Sequence, residues 1–562
     1  MHWKEMILMA IELKPLELSD FNTYEKYYKM ANYDGYQTNF HSLMLWNNIY
    51  QTKFYCNEHF MITLMHYHDF YFWNLPLTTK EYFKEAMDTI LEYCDEHQLP
   101  FLMDGILEQQ EQYLKELFPD SFTFQHSLDN DSYIYDASMH RTLSGKKMQK
   151  RRNHYNSFTK TYENRFIYRH VTQDDLPSVL ELFDTWKDNK DDDALEYEKN
   201  GIIEMFQYLD ILNHKMACIE IDGKIEAFIM GSMLNHDTVQ IHVEKANKEI
   251  RGLYVAIFKL FLENEYPLIS HVNREEDLGI ESLRKAKQQL HPTKLLYQSF
   301  AFRNKPVYFK QANEDDQLKL KQRWLTTFKE DDEAFYDTYL KHSTLHIYYL
   351  EVDYQMVSVV YLREMEMNHH KKAYYVEGVS THSLYLNQGY MKRLLNKVMD
   401  LYKDDILFIQ AYNWDVYKSF NFDHHIYKQL VYLDTPLPTS KSVMIKEGIN
   451  KVLFKQLYSH YASKYAIHIS RDYPVDLDLM DAIYHEDAYA LYSFFNEQLV
   501  VTEVVYKEKE DAYLLLNELM KRHFSIKVIC EDDLLQGEKL LFAKYYLPNK
   551  DAYDSIYFNE YI

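Results

Sequence analysis

The chain has 562 residues, of which 46% are apolar, and its formal net charge is −24 at pH 7. At about 100–200 residues per domain, this length predicts three to five domains with substantial cores. The acidic charge argues against non-specific binding of the whole molecule to nucleic acid or to an anionic membrane surface.

The four cysteines are scattered along the chain without paired spacing, which favours a reducing compartment and predicts no disulfide framework. The apolar run near the N-terminus is interrupted by charged residues, and no other run approaches the length of about 18 residues that a spanning helix needs. We therefore predict a cytoplasmic protein with no membrane span. No metal site is assigned, and the sequence does not indicate the oligomeric state.

Helical and strand-like patterns alternate over residues 1–140. Apolar residues recur at helical spacing in 40–50 and 80–97, and strand-like runs occupy 59–75 and 100–106. This alternation predicts a first mixed α/β domain.

A short basic segment follows in an otherwise acidic chain. Lys146, Lys147, Lys150, Arg151 and Arg152 fall within seven consecutive positions of LSGKKMQKRRNHYNSF (143–158). A helix with this charge is suited to holding phosphate groups or an RNA backbone. The alternative is a solvated helical face that balances acidic neighbours.

Residues 141–305 repeat the alternation and form the second predicted domain. Residues 171–187 open with a capping-box pattern from Thr172 to Asp175 and continue as a helix. The dipeptide Asp222–Gly223 between two apolar runs predicts a β-hairpin. A strand at 239–246 precedes a helix that Gly252 opens, so this order of elements predicts a mixed-sheet α/β fold.

These segments resemble a known family. LSGKKMQKRRNHYNSF, IHVEKA (241–246) and VNREEDLGIESLRKAKQQLHPTKL (272–295) are similar, in order and spacing, to soluble bacterial proteins related to the C-terminal domain of phosphatidylglycerol lysyltransferase. The resemblance covers about residues 20–305 and implies two tandem domains of the Gcn5-related N-acetyltransferase (GNAT) fold. In the membrane relatives this domain transfers an aminoacyl group from tRNA to a lipid headgroup.

The same resemblance marks candidate contacts for a substrate or a phosphate group. These residues are Arg151, Arg152, Asn273 and Arg274. The alternative interpretation is structural: the charged residues form an ion-paired helix cap that holds two lobes together.

The segment Tyr374–Leu395 is the main functional candidate of the third predicted domain, residues 306–437. Its pattern is that of a strand, a polar turn and a helix, and Gly389 stands where the helix begins. The free N–H groups of a first helical turn favour an anion, and a glycine lets a phosphate approach the backbone. The alternative is an ordinary connection between a strand and a helix.

This third domain resembles the GNAT family itself, through Val379–Thr381, Gly389–Met391 and the segment from Tyr417 to Phe422. The resemblance implies that one strand pairs with the pantetheine arm of acetyl-CoA and that the following loop cradles the pyrophosphate. The positions that match are Gly378, Val379, Ser380, Leu386, Asn387, Gln388, Gly389, Tyr390 and Met391. Leu386 and Met391 depart from the residues usual in the family, as does Asn421.

Acetyl transfer to an amine depends mostly on positioning, together with one group that takes the ammonium proton and one that protonates the thiolate. The resemblance places Tyr417 near the thioester sulfur, and a tyrosine is able to protonate the thiolate. Glu377, the charged residue of the central strand, is the candidate base. The alternatives are a core tyrosine and a hydrogen-bonded strand residue.

Residues 438–562 repeat the plan of the third domain in reduced form, after a linker at 434–440. Together, residues 306–540 resemble acetyltransferases of the enhanced-intracellular-survival type, through the order of elements, the hydrophobic pattern and the tripeptide at 470–472. In that type a catalytic GNAT domain is followed by a degenerate second copy. The fourth predicted domain is therefore a degenerate GNAT-like lobe.

The sequence thus predicts an acyl-CoA-dependent N-acyltransferase that uses acetyl-CoA as co-substrate. Its acidic surface favours a cationic amine acceptor, a small molecule or a peptide. A second hypothesis is aminoacyl transfer from tRNA by residues 20–305, and a third is a non-catalytic binding protein with degenerate GNAT folds.

Overall fold

The computed structural model describes residues 11–67, 70–185, 193–342, 344–470, 481–495, 498–523, 525–548 and 555–559. The chain forms two compact units, Met1–Pro306 with Asp353–Gln355, and Val307–Val352 with Met356–Ile562. In the ranges described, no helix is both long enough and apolar enough to cross a bilayer.

The strands of the first unit are β1 Lys14–Pro15, β2 Lys53–Cys56, β3 Phe60–Tyr67, β4 Phe70–Trp73, β5 Leu77–Thr78, β6 Leu102–Leu107, β7 Phe122–His126, β8 Ser132–Asp136, β9 Phe166–His170, β10 Lys215–Ile221, β11 Lys224–Met233, β12 Thr238–Ala246, β13 His271–Asn273, β14 Lys294–Leu296 and β15 Gln298–Arg303. Its helices are α1 Phe21–Ala31, α2 Phe40–Leu45, α3 Asn47–Tyr50, α4 Phe83–His97, α5 Glu108–Leu117, α6 Ala137–Thr142, α7 Gln149–Thr161, α8 Leu176–Asp184, α9 Asp193–Gln207, α10 Leu253–Asn264 and α11 Glu281–Gln288.

The strands of the second unit are β16 Val307–Gln311, β17 Leu345–Val352, β18 Gln355–Met367, β19 Lys371–Thr381, β20 Ile406–Ile409, β21 His424–Leu433, β22 Lys446–Glu447, β23 Ile467–His468, β24 Asp481–His485, β25 Ala488–Phe495, β26 Gln498–Tyr506, β27 Ile526–Cys530, β28 Glu538–Tyr546 and β29 Ile556–Tyr557. Its helices are α12 Gln317–Thr327, α13 Glu333–His342, α14 Tyr390–Leu401, α15 Lys451–Ala462 and α16 Lys509–Arg522.

Several local predictions are confirmed. Thr172 and Asp175 form the capping box before α8. Asp222 and Gly223 join β10 to β11 with φ of 51° and 84°, the positive values that a tight hairpin turn needs. The helix predicted at 40–50 is divided at Trp46, where α2 ends before α3 begins. The mixed α/β fold predicted from the alternation of elements is confirmed.

Strand exchange organises the first unit. One sheet has the order β1-β2-β3-β4-β6-β15-β7, with β5 on β3, and the other has the order β14-β8-β13-β12-β11-β10-β9. The late strand β15 is thus inserted between β6 and β7, and the early strand β8 lies between β13 and β14. Each sheet is completed by a strand from the other half of the unit.

The second unit repeats this plan in a continuous sheet, β16-β17-β18-β19-β20-β28-β21-β27-β26-β25-β24-β22. Here β28, from the end of the chain, lies between β20 and β21, and β21 pairs with β27. Strands before and after the boundary predicted at residue 437 therefore belong to the same sheet. The division into four domains stays a prediction.

The apolar pattern of helix α14 explains its position against the sheet. Leu394, Leu395 and Val398 are buried at helical spacing, while the residues between them are exposed. This stripe packs α14 against β17 and β19. Burial of each such side chain stabilises the packing by roughly 1.5–3 kcal/mol, which fixes the start of the helix at the end of β19.

Candidate active site

The strand, turn and helix predicted for Tyr374–Leu395 are observed. β19 runs to Thr381, a short 3-10 turn follows at Ser383–Tyr385, and α14 begins at Tyr390. The turn is fixed by hydrogen bonds from the backbone N–H groups of Tyr385 and Leu386 to the carbonyls of His382 and Ser383.

A bulge distorts β19 at Gly378. Val359 of β18 pairs with Ser380 and Tyr361 pairs with Glu377, so two residues of β19 oppose one residue of β18. Gly378 has a φ of +58°, in the left-handed region that favours glycine. Bulges re-aim a strand locally and are common beside active sites.

Beyond this point β19 is no longer paired with its parallel neighbour β20. The pairing of β19 with β20 runs from Ala373↔Ile406 to Val376↔Ile409 and ends there, whereas β19 continues to Thr381. β20 ends at Ile409, so Gly378–Ser380, the segment for which the sequence predicts contact with pantetheine, lies past the last pairing with β20.

The loop after β19 is open to solvent. Leu386 is 54% exposed, and the three residues that follow it are also exposed. Gly389 precedes α14 with a φ of +80°, and a Cβ atom built on it has no atom within 4 Å. The N–H groups of a first helical turn have no acceptor within the helix, so this loop presents donors that an anion is able to approach.

Two exposed cations, Lys392 and Arg393, stand in the first turn of α14. Their charges reinforce the positive end of the helix dipole. In a chain of net charge −24, this is a local environment that suits a phosphate group. The departures at Leu386 and Met391 leave this backbone arrangement in place.

Glu377 is buried, and its carboxylate is engaged. It accepts a hydrogen bond from the Tyr339 hydroxyl and lies 3.3 Å from Nε of Arg363, with both side chains of the ion pair 3% exposed. Burial and the neighbouring carboxylate raise the pKa of Tyr339 far above its usual value. This is the hydrogen-bonded strand residue of the alternative interpretation, and a role for Glu377 as base stays a prediction.

Tyr417 ends the short 3-10 helix Trp414–Tyr417, eight residues after β20. Its ring lies 6.3 Å from that of Phe420, centroid to centroid, and burial raises the pKa of its phenol. β19 and β20 are parallel, so the segments that follow them start from the same edge of the sheet. Tyr417 and the glycine loop both follow that edge.

The N-termini of α10 and α16, two helices at comparable places in the other lobes, are closed. β12 also contains a bulge and extends past its last pairing with the parallel strand β13. Gly252 precedes α10 with a φ of +89°. A Cβ atom on Gly252, however, would lie 2.3 Å from the carbonyl oxygen of His154 in α7. Helix α7 therefore covers the N-terminus of α10.

The start of α16 is closed by acidic groups. Glu508 and Asp511 form a capping box, and Glu510 accepts hydrogen bonds from the backbone of Ser440 and Lys441. The linker predicted at 434–440 is thus pinned to this helix. Carboxylates occupy the donors that an anion would use, which fits the degenerate lobe predicted from the sequence.

The basic candidates of the first unit are divided between two environments. Arg151 is half-buried next to Arg274, and burial together with that neighbour lowers its pKa to about 10. Arg274 pairs with Glu244 at 2.7 Å and lies over the Phe258 ring. Two half-buried arginines thus lie close together, and one of them is paired with a carboxylate.

Arg152 and Asn273 have structural contacts. Arg152 donates to the carbonyl oxygens of Leu143 and Gly145, and the buried Asn273 accepts from the backbone N–H of Glu275 at 2.8 Å. These contacts are local hydrogen bonds with the backbone. A role for either residue in substrate binding stays a prediction.

The sequence interpretation missed three buried residues near the loop and the bulge: Arg323, Tyr339 and Arg363. Arg363 could have been identified from the sequence, because a single cation inside the apolar strand β18 needs a buried partner. Arg323 and Tyr339 had none, since each occupies an ordinary helical position.

One group of potential metal ligands occurs in the ranges described: His485, Asp487 and Asp511. Lys507 pairs with Asp487 and Lys441 pairs with Asp511. The ring nitrogens of His485 lie 3.2 Å from the Asp511 carbonyl oxygen and the Asp487 backbone nitrogen. The lysines neutralise the carboxylates, so these residues carry no metal assignment.

Comparison with known families gives two matches. Residues 29–302 match the family model for the C-terminal region of phosphatidylglycerol lysyltransferase. Residues 308–425 match the model for a GNAT acetyltransferase domain.

Three individual proteins similar to this chain are 10–29% identical to it. A conserved protein of unknown function from Bacteroides thetaiotaomicron is 29% identical, with a TM-score of 0.50, over 52% of this chain and 100% of its own. An uncharacterised protein of Mycoplasmoides gallisepticum is 26% identical over 166 residues, which is 29% of this chain and 52% of that protein. The chain thus matches about half the length of that relative. Eis1 of Mycobacterium abscessus is 10% identical, with a TM-score of 0.34, over 43% of this chain and 74% of its own.

Proposed function

We propose that this chain, which joins a domain of the phosphatidylglycerol lysyltransferase C-terminal family to a GNAT acetyltransferase domain, is an N-acyltransferase that uses acetyl-CoA. The reaction is assigned to residues 306–437. The acceptor is the primary amine of a cationic small molecule or peptide. The observation that carries the proposal is the open glycine loop at Gly389, which follows the part of β19 that extends past its last pairing with β20.

This geometry supports the proposed cofactor contacts. Gly378, Val379 and Ser380 lie on β19 past its last pairing with β20, so an extended pantetheine arm has access to that edge. The loop from Leu386 to Met391 offers backbone N–H groups to the pyrophosphate. Lys392 and Arg393 add positive charge at the same end of α14.

The chemical step is an acyl transfer. The amine nitrogen attacks the carbonyl carbon of the thioester, the C–S bond breaks, and the amine loses a proton while the thiolate gains one. The raised pKa of Tyr417 keeps its phenol protonated near neutral pH, as a donor to the thiolate must be. Glu377 is the proposed proton acceptor.

The proposal is tested by calorimetric titration of the full chain with acetyl-CoA, together with hydrogen exchange. We expect one acetyl-CoA per chain, and slower exchange of the backbone N–H groups of residues 386–391 on binding. The absence of binding heat, with unchanged exchange in this loop, would refute the proposal. A screen of polyamines, aminoglycosides and lysine peptides as acceptors then tests the cationic substrate.

A second candidate function, aminoacyl transfer from tRNA, concerns residues 29–302. The observation in its favour is the half-buried Arg151 next to Arg274, bordered by the exposed Lys146, Lys147 and Lys150. Salt-dependent tRNA binding that falls on substitution of the three lysines by alanine would support it. Binding that does not change would count against it.

A further inference from the structure

A buried arginine lies behind the start of the glycine loop. Arg323 belongs to α12, and it is 4% exposed. Its Nη2 atom is 3.5 Å from the carbonyl oxygen of Met356 in β18. The next residue, Trp324, lies against Gly378 of β19, so α12 covers the end of the strand that leads into the loop.

The loop itself turns at His382, which is 1% exposed. Its backbone N–H donates to Val357 at 2.9 Å, its carbonyl oxygen accepts from Tyr385 at 2.8 Å, and its Nδ1 accepts from the backbone N–H of Leu384 at 3.3 Å. The buried residue His382 thus connects the last pairing of β19 to the turn, through its backbone and its ring. The acceptor at Nδ1 requires this nitrogen to be unprotonated.

Arg323 and His382 are electrostatically linked. Burial lowers the pKa of His382 to about 2, and the nearby charge of Arg323 contributes to that shift. The ring therefore stays neutral at any physiological pH, as the hydrogen bond from Leu384 requires. The two residues also meet at β18, because Arg323 contacts the carbonyl of Met356 and the His382 backbone N–H donates to the carbonyl of the next residue, Val357.

The same charge acts on an anion in the loop. Lys392 and Arg393 are exposed, so water and salt screen their attraction for a phosphate. A buried charge is screened much less, since the medium around it has a low effective dielectric constant. Arg323 therefore supplies positive potential that persists at high ionic strength.

We propose that Arg323 is a positioning residue of the acyl-CoA site, which holds the turn at His382 and strengthens binding of the CoA pyrophosphate from behind the loop. This inference rests on the proposed function of residues 306–437. It assigns a role in binding to a residue that does not itself contact the ligand. It also predicts that this residue strengthens binding of the phosphate groups and not of the thioester arm.

The test compares two ligands and two variants. Dissociation constants for acetyl-CoA and for S-acetylpantetheine, which lacks the phosphates, are measured for the wild type, Arg323→Met and Arg323→Gln. We expect a loss of about tenfold in acetyl-CoA affinity for both variants, and a change below about twofold for S-acetylpantetheine. Lys319→Met is the matched control, because it removes an exposed cation from the same helix.

The outcomes are distinguishable. Equal loss for both ligands would assign Arg323 to packing alone, and unchanged acetyl-CoA affinity would remove it from the site; either result overturns the inference. If the wild type itself binds no acetyl-CoA, the proposed function fails as well. If Arg323→Met does not fold, the inference is tested with Arg323→Gln alone. Glutamine is able to keep the contact with the Met356 carbonyl without the charge.

Discussion

A Cβ atom built on Gly378 would lie 2.6 Å from Cζ3 of Trp324 and 2.5 Å from Cδ2 of Tyr361. The bulge of β19 is therefore packed directly under two buried rings, and the positive φ of Gly378 adds backbone strain for any other residue. We expect Gly378→Ala to lower the free energy of unfolding of the second unit by about 2–4 kcal/mol. Urea denaturation measures this loss.

The control for this prediction is Gly389→Ala. Gly389 has a similar positive φ, but no atom lies within 4 Å of its Cβ position. Its substitution should cost only about 1 kcal/mol, the strain of a left-handed residue. Equal stability of Gly378→Ala and the wild type would mean that the rings move away and that the bulge is not fixed by packing.

The second prediction concerns ligand affinity at the open loop. A side chain at Gly389 would stand where a phosphate approaches the backbone, so Gly389→Val should weaken acetyl-CoA binding by about tenfold or more. Gly145→Val is the matched control, since Gly145 also has a φ near +80° and open space at its Cβ. Titration calorimetry on both variants measures the effect, and equal affinity in both would contradict the assignment of the loop.

Local structure followed the sequence closely. The hairpin at Asp222–Gly223, the capping box at Thr172 and the strand–turn–helix around Gly389 each depend on residues a few positions apart. Their signals are contained in short segments, because turn geometry and helix caps are decided by neighbouring residues. The loop of the candidate site was therefore predictable.

The exchanged strands were not predictable in this way. β28 pairs with β20 and β21, which precede it by more than 100 residues. Both β21 and β28 have ordinary strand patterns, and the choice of partner depends on packing across the whole unit. For the same reason the sequence did not reveal that α7 covers Gly252 while Gly389 stays open.

The third prediction tests Tyr417 as the acid of the proposed reaction. Tyr417→Phe keeps the ring and removes the proton, so we expect kcat to fall by about a hundredfold while acetyl-CoA affinity stays unchanged. Because burial raises the pKa of Tyr417, the rate of the wild type should hold up to higher pH than an ordinary tyrosine allows. Tyr412→Phe, at a fully exposed tyrosine nearby, is the control. An unchanged kcat for Tyr417→Phe would exclude this role.

The fourth prediction separates the structural part of the Arg363–Glu377 pair from any catalytic part. Arg363→Met leaves a buried carboxylate without its cation, which should destabilise the second unit by about 3–5 kcal/mol. Adding Glu377→Gln removes the uncompensated charge and should restore part of that loss. Denaturation of both single variants and the double variant gives the coupling energy, and additive effects would show that the pair is not coupled.

The fifth prediction is a loss of stability of the first unit in mild acid. His41, His214 and His242 are buried close together, with ring centroids of His41 at 5.6 Å from His214 and 6.0 Å from His242. Burial lowers the pKa of His214 to about 4 and of His242 to about 3, and it lowers the pKa of His41 as well. All three rings are therefore neutral in the folded state at neutral pH.

In the unfolded chain these histidines titrate near pH 6.5, so below that pH the unfolded state binds more protons than the folded state. Stability consequently falls as the pH drops from about 6.5 towards 4, by up to about 1.4 kcal/mol per pH unit for each histidine. His214→Phe keeps an aromatic ring beside His41 and should reduce this slope by about one histidine's share. Urea denaturation of the wild type and the variant at pH 7.5, 6 and 5 measures both slopes. Identical slopes would mean that His214 titrates normally in the folded protein, and that its burial does not keep the ring neutral.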